Sequence, residues 1–344
     1  MHKHPFLIGV VALGFLLAGG PAMAAPSAAA GAGPADSWSD QQQTEKFSKT
    51  VPLPKGGSFE LANISGDIVI TGGAGDQVVI DAVKRGRTAE DLKAVQIDVA
   101  TSATRVSVRT EYPRERRNVN ASVDFTVTVP RGAAIIVRSV SGDLKLATID
   151  GSLRAETVSG EVSVMSAAQL EYAKSVSGDV TVETASTDAD LSAASVSGSV
   201  TMRTVKARSL DANSVSGDVT LTDVTCDRVK ANSISGEIVF GGPLAKGGRY
   251  MLQSHSGDVT LYVNDKTGFE VNAASFSGDI TSDLQLVSTF GGEGERGQPG
   301  RRPKSGPGQR VSGTFGDGGA MLELGSFSGD VKIVNKVVTK VIKK

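Results

Sequence analysis

Residues 174–182 read KSVSGDVTV, and near copies of this nonapeptide return throughout the chain. Seven further copies are RSVSGDLKL at Arg138, ETVSGEVSV at Glu156, ASVSGSVTM at Ala194, NSVSGDVTL at Asn213, NSISGEIVF at Asn232, QSHSGDVTL at Gln253 and ASFSGDITS at Ala274. Shorter copies, NISGDIVI at Asn63 and SFSGDVKI at Ser326, lie nearer the two ends. We call this repeated sequence the SGD phrase.

The glycine of the phrase recurs every 18 to 21 residues between Gly142 and Gly278. A period near 19 in a chain rich in β-branched residues is typical of stacked β-coils, with one coil per repeat. The sequence therefore predicts an all-β fold, a parallel β-solenoid (single-stranded β-helix) with about 19 residues per coil.

Three columns of residues accompany the phrase and predict its core. Two places before the first Ser or Thr stand Val137, Ala155, Ala173, Ala193, Ala212, Ala231, Leu252, Ala273 and Leu324. Four places before it stand Ile135, Leu153, Glu171, Leu191, Leu210, Val229, Tyr250, Val271 and Leu322. After the acidic position come Leu144, Val162, Val180, Val200, Val219, Ile238, Val259, Ile280 and Val331. Only Glu171 is unsuited to packing against its neighbours.

The alternation of inward and outward residues breaks within the phrase, so a corner of each coil is expected there. Glycine permits such a turn. The Ser or Thr that opens the phrase falls on the inward side, where its hydroxyl could bond to backbone at the corner.

The N-terminal part has a different composition. Residues 1–24 combine Lys3, an apolar run of 13 residues and a small-residue cleavage site, which predicts a secretory signal peptide and an exported protein. Residues 25–46 are small and polar and predict a disordered tether. Residues 47–138 alternate as β-strands, and we expect antiparallel hairpins and a first coil that cap the N-terminal end of the solenoid repeats at 139–290.

Two basic segments are candidate contacts to anionic polymers of the envelope. Residues 291–310 form a Gly/Pro/Arg insertion with five basic and two acidic residues, and predict a disordered loop. Residues 311–344 are expected to hold the final coils and a basic tail with four lysines. The candidate binding residues are Arg296, Arg301, Arg302, Lys304, Arg310, Lys340, Lys343 and Lys344.

The acidic residue of the phrase forms a column that could attract a cation. Stacked carboxylates repel one another, so they must be solvated, bonded to turn N–H groups or shared with a cation. The preferred interpretation is a row of turn carboxylates, because calcium needs six to eight oxygens and each repeat supplies one acid. Weak calcium candidates are Asp179, Asp218, Asp258 and Asp279, and no cofactor is predicted.

Composition argues against several other functions. The net charge of −1 gives no basic surface for nucleic acid, and no apolar run after the leader is long enough for a membrane span. His255 occupies the place held by Val215, Ile234 and Phe276 in other copies, so we interpret it as a replaced packing residue. Cys226 is the only cysteine, and the sequence places no base beside it.

The run from KTVPLPKGGSFELANISGDIVI through VDFTVTVPRGAAIIVRSVSGDLKL to GGAMLELGSFSGDVKI resembles an adhesin-like family of bacterial domains of unknown function with β-strand repeats. The resemblance covers about residues 47–334. It implies an extracytoplasmic parallel β-solenoid with an adhesive or envelope role, and it brings no catalytic residues.

These observations predict a non-catalytic binding scaffold in the periplasm or at the cell surface. Its partner would be an envelope or extracellular polysaccharide or protein, met at many weak points, and self-association is possible. Two alternatives stay open: a polysaccharide-active β-helix enzyme, and a structural or stress-related envelope protein.

Overall fold

The computed structural model describes residues 43–113, 119–263, 267–288 and 308–335. The prediction of an all-β fold is confirmed: the one helix in the described ranges is α1 (Ala89–Ala94), and every other element is a strand. The strands before the repeats are β1 (Gln43–Pro52), β2 (Ser58–Ser65), β3 (Ile68–Gly73), β4 (Gln77–Gly86), β5 (Gln96–Thr101), β6 (Arg105–Glu111) and β7 (Ala121–Pro130). Because β1 begins at Gln43, it includes the last four residues of the predicted tether. The predicted signal peptide and residues 25–42 lie outside the described ranges.

The repeats begin with the strands that follow β7. They are β8 (Ala134–Ser141), β9 (Leu144–Ser159), β10 (Val162–Ser177), β11 (Val180–Ser186), β12 (Asp190–Ser195), β13 (Val200–Ser214), β14 (Val219–Thr222), β15 (Thr225–Ser233), β16 (Ile238–Gly241), β17 (Arg249–Ser254) and β18 (Val259–Val263). The chain then continues with β19 (Phe269–Ser275), β20 (Ile280–Ser282), β21 (Val287–Ser288), β22 (Gln309–Phe315), β23 (Ala320–Ser326) and β24 (Val331–Asn335).

Each coil contributes one strand to each of two faces. All 24 strands are joined by pairing into one continuous sheet that winds around the coils. Strands that lead into the SGD phrase pair with one another on one face, which we call the first sheet, and strands that follow the phrase pair on the other face, which we call the second sheet. Consecutive coils pair in parallel and in register, so that Val180 lies beside Val200, and Val200 lies beside Val219. The long strands β9, β10 and β13 pass through a second corner and belong to both sheets.

The predicted core columns are confirmed with two exceptions. Their side chains are buried between the two sheets in one continuous cluster. Ile280 is half-buried, because it lies in the last coil of the second sheet. Glu171 is half-buried as well, because a register shift in β10 places Leu170 beside Leu153 in the core instead.

At the N-terminal end, the coils do not stack in the order of the sequence. Strand β6 pairs in parallel with β2, and β7 pairs in parallel with β3, so β6 and β7 lie outside the coil of β2 and β3. Antiparallel strands then complete this end. Strand β5 pairs with β6, and β4 pairs with β7 and with β1, so that β4 and β1 extend the second sheet.

The C-terminal end corrects the expectation of successive turns. The coil of β23 and β24 lies between the coil of β17 and β18 and the coil of β19 and β20, although it comes last in the chain. Strand β22 then pairs antiparallel with β19, and β21 pairs with β22. The order of the final phrases in space is therefore His255, Phe327, Phe276.

No helix within the described ranges has the length and apolar character that crossing a membrane would require.

Candidate functional site

The SGD phrase builds one corner of every coil, and serine hydroxyls hold that corner from inside. Ser175 Oγ donates a 2.9 Å hydrogen bond to the carbonyl oxygen of Gly160 in the preceding coil. Bonds of 2.8 to 2.9 Å of the same kind come from Ser195, Ser214, Ser233, Ser254, Ser326 and Ser275. The expected role of the opening serine is confirmed, because each hydroxyl satisfies a carbonyl that the corner leaves free of the sheet ladder.

The acidic column forms a chain of hydrogen bonds along the same corner. Asp179 Oδ1 accepts the backbone N–H of Ser199 at 2.8 Å, and Asp218 Oδ1 accepts the N–H of Glu237 at 2.8 Å. At position 199 a serine hydroxyl replaces the carboxylate. Ser199 Oγ accepts the N–H of Asp218 in a longer bond of 3.4 Å. The prediction that the acids bond to turn N–H groups is confirmed at these positions.

The four calcium candidates are not brought together. Asp179 and Asp218 are separated by Ser199, Asp218 and Asp258 by Glu237, and Asp258 and Asp279 by Asp330. Within the described part of the chain, no group of three or more His, Cys, Asp or Glu side chains could hold a metal ion.

One lysine, Lys332, forms ion pairs with two acids of this column, Asp258 and Asp330. Lys332 Nζ donates a 2.7 Å hydrogen bond to Oδ2 of Asp258, while the N–H of Asp330 donates to Oδ1 at 2.9 Å. The bond from Lys332, followed by that from Asp330, lowers the pKa of Asp258. The same bond raises the pKa of Lys332.

The residue between the two serines of the phrase points away from the core. We call these positions the apolar row. In order along the stack they are Ile64, Val140, Val158, Val176, Val196, Val215, Ile234, His255, Phe327 and Phe276. Its apolar members are 39 to 51% exposed. Contiguous exposed apolar surface of this kind is uncommon on a monomer and commonly marks an interaction site.

The apolar row corrects the interpretation of His255. This residue replaces an exposed row residue rather than a core residue, and its ring stacks on Phe327 with centroids 4.8 Å apart and planes 10° apart. Phe327 stacks in turn on Phe276, at 4.7 Å and 5°. The interchange of the last two coils thus joins three rings into one exposed aromatic stack. The apolar row could have been predicted from the sequence, because side chains alternate along a strand and the residue after an inward-facing serine therefore faces outward.

A second exposed row lies directly beside the first. It consists of the second serine of each phrase, and it contains Ser65, Ser141, Ser159, Ser177, Ser197, Ser216, Ser235, Ser256, Ser328 and Ser277. All ten are exposed except Ser65, which is half-buried. Each of the ten SGD corners thus presents a hydroxyl, with an apolar group at nine of them and a carboxylate at nine of them.

The outer face of the first sheet carries a groove of about 850 Å³ at the C-terminal end. Sequence reasoning missed this groove. Its lining includes Gln253, Asn272, Ala274, Leu286, Arg310, Val311, Ser312, Glu323 and Gly325. Arg310 was a predicted binding residue, and the structure places it in β22 opposite Ala274. The other predicted binding residues, Arg296, Arg301, Arg302, Lys304, Lys340, Lys343 and Lys344, lie outside the described ranges.

Cys226 is remote from the exposed rows because it lies in the core. Burial raises the pKa of its thiol to about 11, so the thiolate that a nucleophile requires is disfavoured. The neighbouring Tyr250 hydroxyl donates a 2.8 Å hydrogen bond to the carbonyl of Cys226 and accepts one from the N–H of Ala245. Cys226 is therefore a packing residue.

Comparison with known proteins gives one family match. The sequence model of Toastrack DUF4097 matches residues 59–334. No curated protein matches the sequence.

Among solved structures, a candidate adhesin from Bacteroides fragilis is similar with a TM-score of 0.42 and 15% identity, over 85% of this chain and 97% of that one. A candidate lipid-binding protein from Parabacteroides distasonis has a TM-score of 0.44 and 10% identity, over 84% and 96% of the two chains. TM-scores below 0.5 are too low to transfer a function from either protein.

Proposed function

The chain belongs to the Toastrack DUF4097 family, and we propose that it is a non-catalytic, exported β-solenoid that binds repetitive polymers of the cell envelope or the extracellular space, as an adhesin does. The observation that carries this proposal is the pair of exposed rows at the SGD corner. Ten coils present the second serine of the phrase in one line, and beside it nine of them present an exposed Val, Ile or Phe while the tenth presents His255.

The spacing of the rows suits a partner that is itself repetitive. Coils repeat at about 4.8 Å, the distance between neighbouring strands in a sheet. A half-exposed valine offers a few tens of Å² of apolar surface, which contributes roughly 1 kcal/mol when it is covered. One coil is therefore too weak to hold a ligand, whereas several coils on one polymer add their contributions.

The absence of catalysis is part of the proposal. Cys226 is buried with a raised pKa, and His255 is engaged in stacking with Phe327. Among the residues that the structure describes, neither Cys226 nor His255 has the neighbours that an acid, base or nucleophile needs.

We further propose that residues 1–24 are removed on export to the periplasm or cell surface. The basic residues at 296–304, Arg310 and the lysines of the tail would add attraction to anionic envelope polymers. The partner would be a polysaccharide or a protein of the envelope, and self-association through the same rows is compatible with this proposal.

The experiment is a pelleting assay of residues 25–344 with insoluble peptidoglycan sacculi, and with crystalline cellulose as an unrelated polymer. We expect binding to sacculi, and at least about tenfold weaker binding by the double variant Val176→Ser/Val196→Ser. The control is Met165→Ser/Met321→Ser, which removes similarly exposed apolar surface outside the row. Equal loss in both variants, no binding by the unaltered chain, or release of reducing ends from the polymer would contradict the proposal.

A second arm tests the basic loop. Deleting residues 291–307 leaves β22 intact, so we expect weaker retention on sacculi and an unchanged melting temperature. If the deletion leaves retention unaltered, the loop does not contribute to binding, and the proposal for the exposed rows is unaffected.

A further inference from the structure

We propose that the C-terminal groove on the first sheet is a binding subsite for a neutral oligosaccharide, in effect a few sugar rings of a longer glycan. This inference deepens the proposed function by naming a ligand class and a second contact point. It rests on the proposal of a polymer-binding scaffold, but the residues that line the groove lie outside the apolar row.

The floor of the groove is made by two small residues. Gly325 and Ala274 occupy neighbouring places in one outward column of the first sheet, where other coils carry Lys174, Ala194, Asn213, Asn232 and Gln253. A Cβ atom on Gly325 would lie 3.7 Å from Cγ of Gln253, which is ordinary contact, so the backbone would tolerate a larger residue. The groove is therefore open because the side chains there are small.

The sides of the groove carry both donors and acceptors. Gln253 Nε2 donates to Glu323 Oε1 at 3.3 Å, and Ser312 Oγ donates to Asn272 Oδ1 at 2.8 Å. These bonds leave the amide N–H groups of Asn272 and the second oxygen of Glu323 without a partner among the described residues. The guanidinium of Arg310 has no ion-pair partner there either.

This set of groups fits a polyhydroxyl ligand. A sugar hydroxyl donates and accepts at once, so it can bridge an acceptor such as Glu323 and a donor such as Arg310 or Asn272. The charges of Arg310 and Glu323 cancel, and this balance favours a neutral sugar over an acidic one. The groove volume of about 850 Å³ lies within the range of pockets that hold ligands of several rings.

Apolar surface flanks the groove, as ring faces of sugars require. Leu286 and Val311 line it, and Phe276 and Phe327 lie two residues beyond Ala274 and Gly325, directly after the ends of β19 and β23. An extended peptide is less suited to this site. Strand β19 is paired on both sides, by β23 and β22, so the floor offers no free edge for a further strand.

The test is calorimetric titration of residues 25–344 with cellohexaose, chitohexaose and maltohexaose, with hexagalacturonate as the acidic probe and a hexapeptide of mixed polar sequence. We expect at least one neutral hexasaccharide to bind. Ala274→Phe should fill the floor and weaken that binding by at least about tenfold. Arg310→Gln should weaken it to a smaller extent.

The matched control is Ala194→Phe, which enlarges the same outward column five coils from Ala274 in the stack, outside the groove. We expect Ala194→Phe to bind the hexasaccharide as the unaltered chain does, and we expect all variants to have the same melting temperature. Equal weakening by both Phe variants, tighter binding of hexagalacturonate or of the peptide, or no binding of any neutral probe would overturn the inference. The same variants are also tested for binding to sacculi. If Ala274→Phe still binds sacculi, the apolar row functions even when the groove does not, so the two proposals can fail separately.

Discussion

Gly160 lies directly against the carbonyl oxygen of Gly142 in the preceding coil, and a Cβ atom added to Gly160 would be 2.2 Å from that oxygen. The same residue has a φ of +143°, a conformation that residues with a side chain rarely adopt. Glycine is therefore required twice at position 160, by backbone conformation and by the closeness of the preceding coil.

We predict that Gly160→Ala lowers the free energy of unfolding by about 3 kcal/mol or more, because the backbone oxygen cannot move without breaking the ladder. The control is Gly132→Ala, since nothing lies within 4 Å of a Cβ atom at Gly132. Urea unfolding followed by circular dichroism measures both. A change of less than about 1 kcal/mol for Gly160→Ala would mean that the coils are not stacked this closely.

The inward serines allow a second comparison. Ser214 Oγ donates a 2.8 Å hydrogen bond to the carbonyl of Gly198, whereas the buried Ser139 Oγ has no partner among the described residues. Ser214→Ala should cost about 1 kcal/mol of unfolding free energy, because it leaves a carbonyl unsatisfied. Ser139→Ala should be neutral or slightly stabilising. Equal losses in the two variants would show that the hydroxyl bond does not stabilise the corner.

The ion pair between Asp258 and Lys332 predicts a pH dependence. The folded chain holds the pKa of Asp258 below its ordinary value, so the pair stabilises the fold above about pH 4, the unfolded pKa. This stabilisation is lost as the pH falls through the lower folded pKa. The raised pKa of Lys332 means that its contribution is complete below about pH 10 and is lost as the pH rises through the folded value.

We expect Lys332→Met to melt below the unaltered chain at pH 6, and we expect the difference to shrink toward pH 2.5. Lys145→Met is the control, since Lys145 holds the same place in its own coil without an ion pair among the described residues. Thermal melts at intervals between pH 2.5 and 7 measure the effect. A difference that does not change with pH would assign the loss to packing of the side chain rather than to the carboxylate.

Much of the stack could be predicted because its cause is local and repeated. Ala155 and Val162 belong to columns whose spacing relative to the phrase fixes which side chains face inward. Glu171 departed from its column, and the structure shows why: the register shift in β10 presents Leu170 to the core instead. The same spacing relative to the phrase also predicts that Val176 faces outward.

The order of the end coils could not be predicted in this way. Residues 275–279 and 326–330 share the text SFSGD, and Ser275 and Ser326 pair in register, so local sequence does not decide which coil lies outside. That order depends on β22, which pairs antiparallel with β19 and covers it. The groove is a consequence of the same arrangement, because Arg310 meets Ala274 only through this pairing.

The central claim is that the apolar row binds a repetitive polymer through many equivalent weak contacts. The most direct test is a series of single, double, triple and quadruple Val→Ser variants at Val140, Val158, Val176 and Val196, with the Kd for peptidoglycan sacculi measured for each. We predict that each substitution weakens binding by a similar factor wherever it lies, so that log Kd rises steadily with the number of substitutions. A single position that carries the whole effect, or a series with no effect at all, would contradict the account.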